Sequence, residues 1–223
     1  MKTLFFTDSR GKIKDTFTNL KIFWQNYAET HDCDFMLCPY KWTTSLDFIK
    51  LIEEKKINID KYDKIVLYTG VVEFSPRPMS NFKQCSANKL EFMREFLGEY
   101  VDLDTTYNFD YMGEDTKSLI TLAAYEKVVV PYLQTLGDKL VLINTNRTVS
   151  GWEGNYLRIN SSGRPKNINV VADYSQKTVG TITNLVNLLE WDDDDVKKFT
   201  VDNMHLTHLG SEFISQRLAP FLV

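Results

Sequence analysis

Histidine and cysteine are the scarcest reactive residues in this chain: three of each occur among 223 positions. Cys33, Cys38 and Cys85 are odd in number and lack metal-ligand spacing. They therefore exclude a disulfide framework and a zinc ribbon, and they read as reduced core thiols. Ten glycines and six prolines are too few for a collagenous or low-complexity chain. No apolar run approaches the roughly 20 residues of a membrane span, and the opening Met1-Lys2-Thr3-Leu4-Phe5-Phe6 is too short for a signal-peptide core. This predicts a cytoplasmic protein with no membrane partner. A basic excess is missing as well. The 26 Lys and Arg stand against 30 Asp and Glu, for a net charge of -4, and the densest charge cluster, 192–195, is acidic. Nucleic acid is thereby disfavoured as a partner.

What is present describes an ordinary globular chain, 43% hydrophobic and 13% aromatic. A chain of this length buries roughly 70% of its unfolded surface, so one domain over 1–223 holds a sufficient core without staples. Short apolar runs alternate with longer helical stretches, the mark of a parallel sheet covered by helices on both faces. Strands are expected at 3–6, 34–37, 64–68, 139–144 and 169–171. Helices are expected at about 15–29, 45–56, 86–99, 118–136 and 177–189. A last helix over 207–218 should turn Leu209, Phe213, Ile214 and Leu218 inward, with Pro220 as its stop. The 192–195 acidic run reads as a helix cap ahead of Val196-Lys197-Lys198-Phe199. The 146–168 stretch, rich in Asn, Ser, Gly and Arg, reads as one long loop, a length that usually serves function.

Two segments at opposite ends of the chain carry chemistry. Thr7-Asp8-Ser9-Arg10-Gly11 directly follows the first strand, where a doubly wound sheet opens its crevice. Asp202-Asn203-Met204-His205 directly precedes the last helix. An acid three residues before a histidine can wrap one turn and accept from Nδ1–H, leaving Nε2 to take a serine proton. Ser9 as a plain helix cap is the competing reading of the first segment. A His205/His208 metal pair is set aside because no ligand set surrounds it beyond Asp202.

Together, Thr7-Asp8-Ser9-Arg10 and Asp202-Asn203-Met204-His205-Leu206-Thr207-His208-Leu209-Gly210 resemble the SGNH/GDSL hydrolases, a family of esterases, lipases, carbohydrate O-deacetylases and some acyltransferases. The resemblance implies Ser9 as nucleophile, His205 as base and Asp202 as the residue that orients it. It implies a three-layer α/β/α sandwich, flavodoxin-like, around a parallel sheet of about five strands, with no metal or organic cofactor. Thr7 stands where the family usually has glycine, and Val72 in Gly70-Val71-Val72-Glu73 stands where it has the asparagine that donates to the oxyanion. Gly70, through its backbone, and Asn144 or Asn146, at the end of the fourth expected strand, are the replacement donors to consider; turn chemistry is the alternative role of the two asparagines. Arg10, Glu73 and Arg77 fall near the expected substrate position, with Arg77 either binding an anionic group or pairing with Glu73. Trp152, Tyr156 and Arg158 form either a sugar-stacking platform or loop anchors. Gly70-Val71-Val72-Glu73-Phe74-Ser75-Pro76-Arg77-Pro78 also resembles an SGNH-like subset tied to polysaccharide modification. A carbohydrate ester is thus the expected substrate and deacetylation the expected reaction. Acyl transfer to a sugar by the same residues and a non-catalytic glycan-binding module are the rivals.

Overall fold

The computed structural model describes residues 1–11, 22–101, 107–111, 113–152, 154 and 168–222. Among these residues eight strands occur in chain order: β1 (Lys2–Thr7), β2 (Asp32–Leu37), β3 (Lys64–Tyr68), β4 (Arg77–Pro78), β5 (Tyr107–Tyr111), β6 (Glu114–Lys117), β7 (Leu140–Ile143) and β8 (Leu185–Val186). Five of them form a parallel sheet in the order β2-β1-β3-β7-β8. The chain leaves β1 toward one edge and returns past it to β3, so the sheet reverses direction between β1 and β3. In such a fold the ligand crevice opens at the carboxyl ends of those strands.

The strands are apolar almost throughout because both faces are covered. Successive side chains alternate between two cores. Leu4, Phe6, Ile65, Leu67, Leu140 and Leu142 face one cluster, with Leu46 and Ile49 of helix Ser45–Glu53 and Val171 and Tyr174 of helix Val170–Gln176. Phe5, Val66, Tyr68, Val141 and Ile143 face the other, with Val196 of helix Asp193–Phe199 and Ile214 and Leu218 of helix His208–Leu218. Each such side chain contributes roughly 1.5–3 kcal/mol on burial, which makes this two-sided packing the main stabilising term.

The first four expected strands are found at β1, β2, β3 and β7, but the fifth is elsewhere. Residues 169–171 open helix Val170–Gln176, whose buried Val171 and Tyr174 lie three apart on one face. The β-branched Val170-Val171 pair favours a strand locally, but burial of Val171 and Tyr174 at helical spacing prevails. The expected 177–189 helix is replaced by turns around Gly180, then by β8 and a short turn at Leu188–Glu190. The 86–99 helix is found as Met79–Ser86 followed by Leu90–Leu97. The 118–136 helix runs from Leu122–Ala124 through a π turn at Tyr125–Val129 into Val130–Gln134. Pro131 lies just after that π turn; a proline cannot donate to the carbonyl four residues back, and a widened turn relieves the clash.

Asp192 caps the next helix as expected, its carboxylate accepting from the N–H groups of Asp194 and Asp195. Leu209 is 45% exposed rather than inward, because its helix presents Gly210, Ser211, Ile214 and Leu218 to the core. Cys33 and Cys38 are only half-buried, since β2 is an edge strand; Cys85 is buried. The described part of the 15–29 region contains helix Gln25–Ala28. No local pattern in the sequence marks the antiparallel sheet β4-β6-β5. Among the described residues no helix is long and apolar enough to cross a membrane.

Candidate active site

At the end of β1, Asp8 N–H donates to the Tyr68 carbonyl and ties β1 to the end of β3. The chain then turns sharply through Ser9–Gly11. Asp8 and Arg10 are both fully buried and close over this turn: Arg10 Nε and Nη2 donate to the Asp8 carboxylate at 3.0 and 2.9 Å. Arg10 Nη2 also donates to the Thr69 carbonyl at 2.7 Å, and the guanidinium lies 3.9 Å above the Tyr68 ring. Ser9, between these two anchors, is only half-buried and reaches the crevice. Arg10, expected at the substrate, is thus a brace beneath the serine turn.

The second segment lies between helices Asp193–Phe199 and His208–Leu218 and is pinched by an antiparallel bridge from Thr200 to Leu206. Within it the Asp202 carboxylate folds back on its own turn. Its Oδ1 accepts from the His205 N–H at 2.8 Å and the Met204 N–H at 3.2 Å. His205 Nδ1 lies 2.9 Å from Oδ2 and 3.0 Å from Oδ1. A carboxylate only accepts, so Nδ1 carries the ring proton and the Nε2 lone pair is turned outward. Nε2 lies 3.2 Å from Ser9 Oγ. The structure thus brings Ser9, His205 and Asp202 into one hydrogen-bonded chain from segments 196 residues apart in sequence.

That turn is held by the loop after β7. Asn203 adopts φ +69°, a left-handed conformation that asparagine tolerates. Its Oδ1 accepts from the Val149 N–H at 2.7 Å, and its Nδ2 donates to the Trp152 carbonyl. Asn146 Nδ2 donates to the Asn203 carbonyl at 2.9 Å and to the Arg147 carbonyl at 2.7 Å. Asn146, considered as an oxyanion donor, therefore spends its amide on this turn. Asn144 does likewise at the sheet edge, donating to Asn187 Oδ1 at 2.9 Å and accepting from the Leu188 N–H at 2.7 Å. Trp152 is half-buried against the second core and anchors its loop. Tyr156 and Arg158 lie outside the described residues.

Gly154 presses against the same turn. At φ +92° a Cβ there would meet the Val201 carbonyl oxygen at 2.3 Å and Asp202 Cα at 2.5 Å. Gly154→Ala is expected to lower unfolding free energy by more than about 1 kcal/mol, since the displaced atoms are the backbone that carries Asp202. Denaturant unfolding of the variant beside the wild type checks it; a variant as stable as wild type would contradict it.

Gly70 follows β3 at φ +127°, with Phe74 and Thr145 Oγ1 each 2.7 Å from where a Cβ would stand. Only glycine fits there without strain. Val72 is buried and lines the crevice, and its carbonyl accepts from Arg77 Nε at 3.0 Å. Glu73 does not reach the crevice. It is fully buried, accepting from the Ser45 N–H at 2.8 Å, and burial raises its pKa above the ordinary 4.5 against the lowering effect of that bond. The native chain therefore holds this proton to higher pH than the unfolded chain. The group's contribution is full below about pH 4.5 and is lost as pH rises through its folded-state value. Wild-type unfolding free energy should fall, as pH is raised over a range starting at about 4.5, by more than that of Glu73→Gln. Denaturant titrations across that range check this; parallel pH profiles would contradict it.

The crevice over Ser9 and His205 encloses about 350 Å³. Arg77 and Ser75 stand on its wall, joined by residues that no sequence motif marked: Lys41, Trp42, Asn81 and Tyr111. They come from the β2 exit, the β4 region and the small sheet, so only the tertiary fold gathers them. A larger groove of about 720 Å³ lies between helices Ser45–Glu53 and Leu90–Leu97 but contains none of the polar chain above. Among the described residues no group of three His, Cys, Asp or Glu is placed to hold a metal ion.

No protein-family model matches the sequence, and no curated protein is detectably similar to it. Likeness appears in three dimensions. The chain superposes on the lipase/acylhydrolase from Enterococcus faecalis with a TM-score of 0.52 at 15% identity, over 98% of this chain and 93% of that one. A protein from Lactobacillus plantarum matches with a TM-score of 0.51 at 15% identity, over 99% and 95% of the two chains. Identities this low speak to architecture alone. In architecture, the chain shares with these structures a three-layer α/β/α fold around a parallel five-stranded sheet.

Proposed function

We propose that this protein is a serine ester hydrolase acting on O-acylated carbohydrate, with acetyl as the acyl group. The observation that carries the reading is the chain Ser9 Oγ, His205 Nε2, His205 Nδ1, Asp202, with separations of 3.2 and 2.9 Å, opening into a crevice at the carboxyl ends of β1 and β3. Ser9 Oγ attacks the ester carbonyl while its proton passes to His205 Nε2. The tetrahedral intermediate collapses, the C–O bond to the alcohol breaks, and the alcohol leaves with that proton. Water then attacks the acyl-Ser9 ester, giving a proton to His205; the C–Oγ bond breaks, Ser9 Oγ takes that proton back from His205, and the carboxylic acid departs. Asp202 fixes the ring and stabilises the imidazolium.

With Val72 in the asparagine's place, the oxyanion is assigned to backbone N–H groups of Ser9 and Gly70, at the ends of adjacent strands. Trp42 and Tyr111 on the crevice wall favour a sugar, whose ring offers an apolar face to an aromatic one.

The test is acetate release from O-acetylated methyl glycosides by wild type and Ser9→Ala. Release by the wild type alone is expected, and equal release by both would overturn the reading. Acetyl appearing on an added sugar acceptor in preference to water would make the same machinery a transferase.

A further inference from the structure

Two cationic side chains line the crevice of an acidic chain. Among its described lining residues Lys41 and Arg77 carry full charges and no Asp or Glu occurs, against a net charge of -4 for the whole chain. The two cations flank one aromatic ring: Lys41 Nζ lies 5.3 Å and Arg77 Cζ 4.7 Å from the centroid of Trp42. Arg77 is oriented by its Nε bond to the Val72 carbonyl, whereas Lys41 is exposed at the rim. Beside them Ser75, only 6% exposed, lines the crevice with a hydroxyl that has no hydrogen-bond partner. A buried hydroxyl left unpaired costs free energy that a ligand acceptor would recover. An anion set against two cations and a hydroxyl donor gains charge-assisted bonds where a neutral group does not.

Resting on the hydrolase reading above, we propose that the crevice selects esters whose alcohol portion carries an anionic group, a carboxylate or a phosphate. Lys41 and Arg77 supply the charge, and the Ser75 hydroxyl donates to the same group. The neutral acyl end lies at Ser9 and the charged end toward Trp42.

Substrate pairs that differ only in charge test this. An O-acetylated methyl glucuronoside is compared with its methyl ester, and O-acetylated glucose 6-phosphate with O-acetylated glucose. The charged member should have the higher kcat/KM by about tenfold in at least one pair, a ratio that shrinks between about 20 and about 200 mM salt. The pair that shows it identifies the anion. Lys41→Glu should abolish or reverse the ratio, and Lys41→Arg should retain it.

Equal rates within both pairs, or a ratio untouched by Lys41→Glu, would overturn the inference while leaving the hydrolase reading intact. If no ester is turned over, the hydrolase reading fails and binding decides the inference. Titrating Ser9→Ala with methyl glucuronoside, inorganic phosphate and methyl glucoside should show weaker binding of the neutral sugar than of at least one anion. Equal affinities for all three would overturn it.

Discussion

Asp202→Asn is expected to lower kcat for ester hydrolysis by on the order of 10⁴-fold while the protein stays folded. The reason lies in how the carboxylate is divided. Oδ1 accepts from the backbone N–H groups of His205 and Met204, so an asparagine would keep its oxygen there. Its amide nitrogen then takes the place of Oδ2, 2.9 Å from His205 Nδ1. Two donors cannot face each other, and the ring would shift its proton to Nε2. The nitrogen facing Ser9 Oγ would then donate rather than accept. KM should change far less than kcat, because Asp202 is buried and meets no substrate. Steady-state kinetics with a thermal melt on the same sample check this. A loss under about tenfold would mean that His205 does not depend on Asp202 for its tautomer.

The second large effect concerns stability. Arg10→Leu should lower unfolding free energy by about 3–5 kcal/mol, because it leaves the Asp8 carboxylate buried without its partner. Arg10 also bridges to the Thr69 carbonyl, so the end of β3 loosens together with the serine turn. Removing both charges should cost less than the sum of the separate losses, since the double variant has no stranded ion. A double-mutant cycle with Asp8→Ala and Arg10→Leu, followed by denaturant unfolding, measures that coupling. Strict additivity would show that the pair is not a unit.

These two predictions mark where sequence reasoning succeeds and where it stops. The strands β1, β3 and β7 are legible because continuous apolar runs have few alternatives, and the two reactive segments are legible because each sits beside one of the fold's fixed landmarks. β8 and β4 are two-residue strands that exist only through their neighbours, so no local pattern announces them. Arg10 and Glu73 illustrate the same limit among side chains. Charged residues next to a reactive serine or a crevice loop suggest contact with substrate, yet both are fully buried in this fold. Which way a turn residue points is set by its packing, and packing is not local. Asn144 and Asn146 lie at the expected strand end, but their amides are already committed to Asn187 and to the Asp202–His205 turn. Lys41, Trp42 and Asn81 line the crevice without belonging to any motif, since they are assembled from separate connections.

The central claim is that His205 activates Ser9, and intact-mass labelling with a fluorophosphonate probe tests it most directly because the probe needs no natural substrate. The wild type should gain one adduct, located at Ser9, while Ser9→Ala and His205→Ala should gain none. A folded wild type that stays unlabelled, or a His205→Ala variant labelled as fast as wild type, would contradict the account.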